Sequence, residues 1–446
     1  MNTPICDFVR QYAGSNALRA HMPGHKGRQL IGIEQLDITE IGGADSLYEA
    51  DDIIRFSEEN ASALFGCETF YSTEGSSLCI RAMIYLTALY AKQQGRRLLI
   101  AAGRNAHKTF LSACALCDAD VMWLQPSVQA SYLSCAIGAQ ELDEVLSNAG
   151  EKPAAVYLTS PDYLGNTVDI AQIAKVCRRH RVLLLVDNAH GAYLRFLRPS
   201  RHPIDLGADM CCDSAHKTLP VLTGGAYLHI AGDAPELFRA QAKTALAMFG
   251  STSPSYLILQ SLDAANAYLA DGYEDRLGEF INAVQGVKQR LTAQGYVFCG
   301  DEPTKLTVCA KEYGYTGEAL ADELLKKDIV CEFADPDFLV MMLTPETGTE
   351  GLDRLERALT EIPKKAAVLT QPPVYQPSRQ IMTIREAAFS ASETIDAEHS
   401  EGRVLAAATV GCPPAVPIVV CGERIDHHAL ECFRYYGIRR CTVVKE

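Results

Sequence analysis

One lysine of the sequence has neighbours that could make its side chain reactive. Lys217 lies in the segment SAHKTLPVLTGG (214–225), where small and apolar residues surround it and two glycines follow. Burial among such residues lowers the pKa of an amine, and a neutral amine can attack a carbonyl carbon. The sequence therefore predicts a nucleophilic lysine, with an ordinary surface lysine as the alternative.

An aspartate upstream of this lysine could complete a cofactor site. Asp187 ends the apolar run VLLLVD (182–187), and an acid at the carboxyl end of a parallel strand points into the crevice where ligands bind. A pyridoxal phosphate enzyme needs such a pair, because the carboxylate keeps the pyridine nitrogen protonated while the lysine forms a Schiff base. The alternative is that both are ordinary strand-end residues.

Two further segments contain groups that suit the same cofactor. STEGSS (72–77) begins a predicted helix, and a Gly-Ser-Ser turn at a helix N-terminus offers amide and hydroxyl donors to a phosphate. RNAHKT (104–109) places His107 at a strand-to-helix junction, where its ring could stack on a pyridine ring. An N-cap serine and a cap or core histidine are the ordinary alternatives.

The elements that would position these residues alternate between strands and helices. Apolar runs predict strands at 96–103, 119–126, 154–161, 181–190 and 224–230. Apolar or amphipathic segments predict helices at 77–91, 105–117 and 169–180. Repeated strand–helix–strand units with apolar strands are typical of a mostly parallel sheet with helices on both faces. The predicted fold class is therefore α/β.

The pattern changes after about residue 270, which predicts further domains. A long amphipathic helix at 275–294 precedes a short alternation of strands and helices, and LTQPPVYQPS (369–378) reads as a linker because prolines interrupt regular structure. We therefore predict a large cofactor-binding domain at 1–270, a small α/β domain at 271–366 and a C-terminal α+β domain at 367–446.

Composition excludes several classes of protein. The chain has 446 residues, with 41 Lys+Arg against 55 Asp+Glu and a net charge of −14, which argues against nucleic acid or an anionic membrane as the partner. We expect no signal peptide, no transmembrane helix and no metal, and a cytoplasmic location in which the 16 scattered cysteines stay reduced. Cys114 and Cys117 form the one C-x-x-C pair, and core burial is favoured over zinc binding.

Together these segments resemble a known family, the bacterial ornithine/lysine/arginine decarboxylases of aminotransferase-like fold type I, in the short form without an N-terminal wing domain. The similarity covers essentially the whole chain. The motifs that carry it are, in chain order, HMPGHKG (21–27), DITEIGGADSLY (37–48), STEGSS (72–77), RNAHKT (104–109), VDNAHGAYLRF (186–196), DSAHKTLPVLTGGAYLHI (213–230), STSPSYLILQSLD (251–263) and EGRVLAAATVGCPPAVPIVVCGERI (401–425).

The resemblance implies a role for each matching residue. Lys217 would bear pyridoxal 5'-phosphate, Asp187 would pair with its ring nitrogen and His107 would stack on its ring. His190 would lie near the substrate carboxylate, and Glu423 would contact a cationic side chain, unless Glu423 is a surface salt bridge or a helix cap. The other implied cofactor contacts are Gly75, Ser76, Ser77, Ala189, Ser214 and His216, together with Thr252 and Ser253 in the neighbouring subunit of a homodimer.

The activity that the resemblance implies is α-decarboxylation of a basic amino acid to an amine and CO2, in polyamine biosynthesis. Arginine is favoured over lysine, and lysine over ornithine. Asn188, Cys421 and the segment 411–415 depart from the family pattern, which affects the substrate rather than the reaction type. The alternatives are another fold type I reaction, such as transamination or elimination, a catalytically silent regulatory homologue, and a zinc or redox protein that uses Cys114 and Cys117.

Overall fold

The computed structural model describes residues 1–125, 132, 134–412 and 416–446, without the side chains of residues 412 and 416. The chain forms two compact units, each built from two separate stretches of sequence. The first unit comprises Met1–Gln93 and Leu183–Arg276, and the second comprises Gln94–Val182 and Leu277–Glu446. The predicted division at residues 270 and 366 stays a prediction.

The helices and strands are numbered here in chain order. The strands are β1 (Glu68–Ser72), β2 (Leu99–Gly103), β3 (Asp120–Leu124), β4 (Ala155–Thr159), β5 (Leu183–Asp187), β6 (Met210–Asp213), β7 (Ala226–Ile230), β8 (Phe298–Cys299), β9 (Lys305–Cys309), β10 (Phe333–Ala334), β11 (Phe338–Met342), β12 (Ser392–Asp396), β13 (Thr409–Cys412), β14 (Val416–Val420) and β15 (Arg440–Val444). The helices are α1 (Pro4–Ala13), α2 (Ile53–Phe65), α3 (Gly75–Gln93), α4 (Lys108–Cys117), α5 (Ala139–Asn148), α6 (Ile170–His180), α7 (Ala215–Thr218), α8 (Glu236–Ala247), α9 (Tyr256–Ala270), α10 (Tyr273–Ala293), α11 (Gly317–Leu325), α12 (Gly348–Thr360), α13 (Ile384–Ala388) and α14 (His427–Tyr435).

The first unit contains strands in the order β1-β7-β6-β5. β5 and β6 are parallel, with Asp187 opposite Cys212, whereas β7 runs antiparallel to both β6 and β1. Every residue of β5, β6 and β7 is buried, as expected for strands with both faces covered. The carboxyl ends of β5 and β6 therefore lie side by side, and the chain turns there into residues 188–191 and 214–217.

Helix α3 brings a second group of polar residues to the first unit. It begins at Gly75 directly after β1 and packs against α8, β6 and β7. Its central turns are apolar and buried, with Leu78, Met83 and Leu86 fully inaccessible to solvent. This packing fixes the position of the helix N-terminus, where Gly75, Ser76 and Ser77 lie.

The second unit contains a parallel sheet and a separate antiparallel sheet. In the parallel sheet β2 pairs with β3 on one side and β4 on the other. The second sheet has the order β10-β11-β9-β8, and its core includes Leu306, Val308 and Leu339 with apolar residues of α11 and α12. The C-terminal residues add the pairs β12–β15 and β13–β14, with a core around Leu405, Val419 and Phe433.

The predicted α/β class is confirmed, and the predicted elements exist with shifted ends. The strands predicted at 96–103, 154–161 and 181–190 are β2, β4 and β5, which are shorter by three to five residues. Helices 77–91, 105–117 and 169–180 are α3, α4 and α6, and the strand predicted at 119–126 is β3, with residue 126 outside the described residues. The antiparallel directions of β1 and β7 were not predicted, because burial of a strand on both faces does not encode its direction.

Candidate active site

Lys217 lies on a single helical turn at the end of β6. The N–H of Lys217 donates to the carbonyl of Ser214 at 3.0 Å, and the N–H of Leu219 donates to that of Ala215 at 2.8 Å. This turn directs the lysine side chain towards the β5 end, where Lys217 Nζ lies 3.0 Å from His190 Nε2. The structure therefore brings together the predicted nucleophile and the histidine predicted near the substrate carboxylate.

Asp187 is the last residue of β5 and is almost fully buried. Its Oδ1 accepts the N–H of Ala189 at 3.2 Å and the thiol of Cys212 at 3.7 Å. Cys212 is the residue opposite Asp187 in β6. Two donors from fixed backbone positions thus orient the carboxylate at the strand end, as the predicted contact with a ring nitrogen requires.

The residues predicted to bind a phosphate meet at the N-terminus of α3. Ser214 Oγ donates to Ser76 Oγ at 2.8 Å, which joins the loop of Lys217 to the helix. The N–H of Gly75 donates to the carbonyl of Gly224 at 2.7 Å. His216 Nδ1 lies 3.0 Å from the carbonyl oxygen of Gly225, and burial lowers the pKa of this imidazole. The N-terminus of a helix, with hydroxyls at its first turn, suits a phosphate group.

Two glycines make this close arrangement possible. Gly224 has φ +100°, and a Cβ there would lie 2.9 Å from the carbonyl oxygen of Thr73. Gly75 has φ +71° and open space where a Cβ would point. Only a residue without a side chain adopts such backbone angles without strain and lets the two loops approach each other.

These side chains match the chemistry of pyridoxal phosphate. The cofactor needs an amine, a carboxylate and a phosphate cradle, and the first unit supplies Lys217, Asp187 and the Ser76–Ser214 pair beside a helix N-terminus. The open space over Gly75 leaves room for a group at the amides of α3. The donor set therefore fits this cofactor.

Thr252 and Ser253 lie on an exposed segment of the first unit. The N–H of Ser253 donates to Ser251 Oγ at 3.1 Å, and the N–H of Ser251 donates to Glu74 Oε1 at 2.6 Å. The second bond ties this segment to the residue before α3. The contact of Thr252 and Ser253 with a neighbouring subunit stays a prediction.

His107 belongs to the second unit and is the N-cap residue of α4. Its Nδ1 accepts the N–H of Thr109 at 3.2 Å and lies 2.9 Å from Thr109 Oγ1. The cap that the sequence left as an alternative is therefore present. It fixes the ring at the strand-to-helix junction, and its stacking on a cofactor ring stays a prediction.

Glu423 is buried in the second unit, so the surface salt bridge considered from the sequence is wrong. Its Oε2 accepts from Arg104 Nη2 at 2.8 Å and from the N–H of Val420 at 2.9 Å. Burial raises the pKa of Glu423, and the Arg104 guanidinium opposes this shift. Arg104 also donates to the carbonyls of Pro417 and Ile418. The predicted contact of Glu423 with a cationic substrate stays a prediction, although Arg104 already provides Glu423 with a cationic partner.

Sequence reasoning missed the partners of these residues. Arg104 lies in a quoted motif but carries no signal of its own, since its carboxylate is 319 positions away in the chain. Asp213 and Cys212 end a strand among apolar residues, and nothing local shows that they contact residues 187 and 188. Residues 413–415, part of a segment that departs from the family pattern, lie outside the described residues.

The fold and the site define an α/β enzyme of the aminotransferase-like fold type I. Solved structures with this fold include the constitutive lysine decarboxylase of Escherichia coli, with a TM-score of 0.78 and 19% identity over 100% of this chain and 82% of that chain. An alanine–glyoxylate aminotransferase from Nostoc has a TM-score of 0.54 at 17% identity, covering 69% of this chain and 86% of that one.

Sequence comparison then gives the family. The family sequence model described as "Orn/Lys/Arg decarboxylase, major domain" matches residues 3–307, so the chain belongs to the Orn/Lys/Arg decarboxylase family. It is 29% identical to the arginine decarboxylase of Halalkalibacterium halodurans, over 97% of this chain and 93% of that protein. It is 28% identical to the arginine decarboxylase of Bacillus subtilis, over 95% of this chain and 91% of that protein.

Among the described residues, no helix is both long and apolar enough to cross a membrane.

Proposed function

We propose that this protein catalyses pyridoxal phosphate-dependent α-decarboxylation of a basic amino acid, with arginine as the first candidate, then lysine and ornithine. The observation that carries this proposal is the 3.0 Å contact between Lys217 Nζ and His190 Nε2, in the same unit as the buried carboxylate of Asp187. Arginine comes first because relatives named arginine decarboxylase align with nearly the whole chain. The constitutive lysine decarboxylase of Escherichia coli aligns with 62% of it.

The pair of Lys217 and His190 handles protons at the reacting atoms. An imidazole 3.0 Å from the amine can take a proton from Nζ, and only the neutral amine is a nucleophile. The same pair can later return a proton to the substrate α-carbon once CO2 has left. His190 is buried, and Lys217 is half-buried.

Asp187 and the phosphate-binding residues would hold the cofactor in register with Lys217. The bound cofactor supplies an electron sink for the pair of electrons that the departing carboxylate leaves behind. Asp187 would hold a proton at the ring nitrogen, while Ser76, Ser77, Ser214 and His216 would bind the phosphate. Ala189 lies within two residues of Asp187 and would pack on one face of the ring, while His107 would stack on the other.

We propose further that the protein acts in the cytoplasm as a homodimer with its active site at the subunit interface, in polyamine biosynthesis. Thr252 and Ser253 are exposed on this chain, as residues that serve a neighbouring subunit must be. Light scattering of the purified protein measures the mass directly, and a monomer of 48.6 kDa with full activity would contradict the dimer.

The decisive experiment incubates the cofactor-loaded protein with arginine, lysine and ornithine separately and measures CO2 and the amine. We expect one amine in excess, and Lys217→Ala should abolish both turnover and the visible absorbance of the bound cofactor. Lys326→Ala, which removes an exposed lysine paired with Glu323, is the matched control and should retain both.

Three results would contradict the proposal in different ways. An oxo acid in place of CO2 would indicate transamination. No product with any of the three amino acids, but with normal visible absorbance, would leave the cofactor assignment intact and exclude these substrates. No absorbance at all would exclude the cofactor and favour a catalytically silent homologue.

A further inference from the structure

Two side chains that the proposed chemistry does not use connect the ends of β5 and β6. Asn188 Nδ2 donates to Asp213 Oδ1 at 2.6 Å. Both residues are completely buried. Asn188 follows Asp187, and Asp213 precedes Ser214, so this hydrogen bond joins the two turns that carry the candidate active-site residues.

The other oxygen of Asp213 faces two buried histidines. Asp213 Oδ2 lies 3.1 Å from His202 Nε2 and 3.2 Å from His229 Nε2. Burial alone would raise the pKa of Asp213, but the two imidazoles hold it well below its ordinary value. His229 is fixed in turn, because its Nδ1 lies 2.9 Å from Thr69 Oγ1. Asp213 is therefore an anchored carboxylate, satisfied on both oxygens.

Asn188 is held through its backbone. Its N–H donates to the carbonyl of Cys212 at 3.0 Å, and its own carbonyl accepts the N–H of Gly191 at 2.8 Å. A Cβ on Gly191 would lie 2.0 Å from Asn188 Oδ1, so the amide fills its space completely. These contacts hold the turn 188–191 in the conformation that makes the hydrogen bond to Asp213.

The two turns carry several groups of the candidate active site whose spacing matters. One carries Ala189, whose N–H orients Asp187, and His190. The other carries Ser214, which bonds to Ser76, and Lys217. The contact between Lys217 Nζ and His190 Nε2 crosses from one turn to the other. A change in their separation would alter this distance directly, and an error of about 1 Å can cost on the order of a hundredfold in rate.

We propose that Asn188 and Asp213 are positioning residues, whose hydrogen bond sets the separation of the Asp187–His190 turn from the Ser214–Lys217 turn. This inference rests on the proposed function, because the spacing matters for binding and orienting pyridoxal phosphate. It also gives a reason for the asparagine that departs from the family pattern. A carboxylate at position 188 would face the carboxylate of Asp213 at hydrogen-bonding distance.

Metal binding is the competing explanation for this cluster. Ligand atoms of His202, Cys211 and Asp213 lie within 4.8 Å of one another. Asp213 Oδ2, however, lies at hydrogen-bonding distance from both histidines, and Cys211 Sγ is 3.9 Å from His202 Nε2. The positioning role needs only the hydrogen bonds from the two histidines to Asp213, whereas a metal site needs an ion bound between these ligand atoms. Elemental analysis of the purified protein separates the two explanations.

The test exchanges the two polar groups. Asn188→Asp places a second carboxylate against that of Asp213. Asp213→Asn removes the negative charge that the two histidines hold. In the double variant the amide at 213 can donate to the carboxylate at 188, while its oxygen still accepts from His202 and His229. The hydrogen bonds are thus restored with reversed polarity. Asn188→Ala, which adds no charge and needs no extra space, covers the case in which Asn188→Asp fails to fold.

The readouts are the cofactor dissociation constant and the visible circular dichroism per bound cofactor, which reports its orientation. We expect Asn188→Asp and Asn188→Ala to weaken cofactor binding by about tenfold and to reduce the dichroism, with the double variant within about threefold of the original protein. Asp263→Asn is the matched control. It alters another buried aspartate of the same unit, which accepts from Ser57 Oγ and the N–H of Cys6, and should lower Tm without changing the dichroism.

Several outcomes would overturn the proposal. The first is that both Asn188 variants bind the cofactor and show dichroism as the original protein does. The second is that the double variant binds the cofactor no more tightly than Asn188→Asp. The third is one equivalent of metal in the purified protein. Failure of the proposed function looks different. In that case the unaltered protein shows no cofactor on Lys217 after borohydride reduction and peptide mass analysis, and both proposals fall together.

Discussion

At the scale of single residues, the proposed chemistry depends on side chains whose sequence context was informative. It also depends on hydrogen-bond partners whose sequence context was not informative. Lys217 and Asp187 could be predicted because each lies beside a strand end with small or apolar neighbours. The partners of Arg104 and Asp213 could not, because they lie outside the local motifs, 319 positions from Arg104 for Glu423 and 16 positions from Asp213 for His229. A motif describes local chain geometry, whereas a buried charge is explained only by the folded neighbour that compensates it.

Glu423 gives the first prediction at this scale. Glu423→Gln leaves the buried guanidinium of Arg104 without a counter-charge, so we expect a loss of about 3 kcal/mol in the free energy of unfolding. Urea unfolding measures it. Glu323→Gln, which alters an exposed pair with Lys326, should cost almost nothing. If Glu423 instead contacts the substrate, its variant will raise KM strongly and leave stability unchanged.

At the scale of secondary structure, apolar runs predicted where elements lie but not where they end. The run at 181–190 contains β5, yet the strand stops at Asp187 because the following residues turn to bond with Cys212 and Gly191. The apolar runs likewise did not predict whether neighbouring strands are parallel or antiparallel. What positions the site is therefore the set of turns after β5 and β6 and before α3, whose geometry depends on tertiary contacts.

The turn before β7 can be tested through Gly224. In Gly224→Ala the alanine would have to adopt a positive φ, and its Cβ would collide with the carbonyl oxygen of Thr73. The substitution should therefore lower the free energy of unfolding by about 2 kcal/mol and weaken cofactor binding. Gly402 also has a positive φ, of +83°, but open space around it. Gly402→Ala should therefore lower the free energy of unfolding by about 1 kcal/mol, because only the strained backbone angle opposes it. Calorimetric Tm values compare the two, and equal losses would show that the contact with Thr73 is unimportant.

At the scale of the whole molecule, buried carboxyl groups shape the dependence of stability on pH. Asp335 Oδ1 accepts the N–H groups of Asp337 and Phe338, yet burial raises the pKa of Asp335 to about 6. The unfolded pKa is lower, so the folded state binds more protons between about pH 4 and 6. This group therefore adds stability as the pH falls through that window and withdraws it as the pH rises.

Asp335→Asn should remove this dependence. The amide keeps an oxygen for the two N–H groups and carries no charge, so we expect a gain at pH 8 of up to about 3 kcal/mol. Stability measured by urea unfolding at pH 4, 6 and 8 should then vary less between pH 4 and 6 than in the unaltered protein. An unchanged slope would show that the pKa of Asp335 is the same in the folded and unfolded protein.

The ion pair of Arg104 and Glu423 also has a consequence for synthesis on the ribosome. The carboxylate is added 319 residues after the arginine, which takes about 16 to 64 s at ordinary rates of translation. Until then the nascent chain holds a cation with no counter-ion, in a region that will become dry interior. The second unit therefore completes its folding only after residue 423 has been added, and a polypeptide released before that residue is a ready substrate for chaperones and proteases.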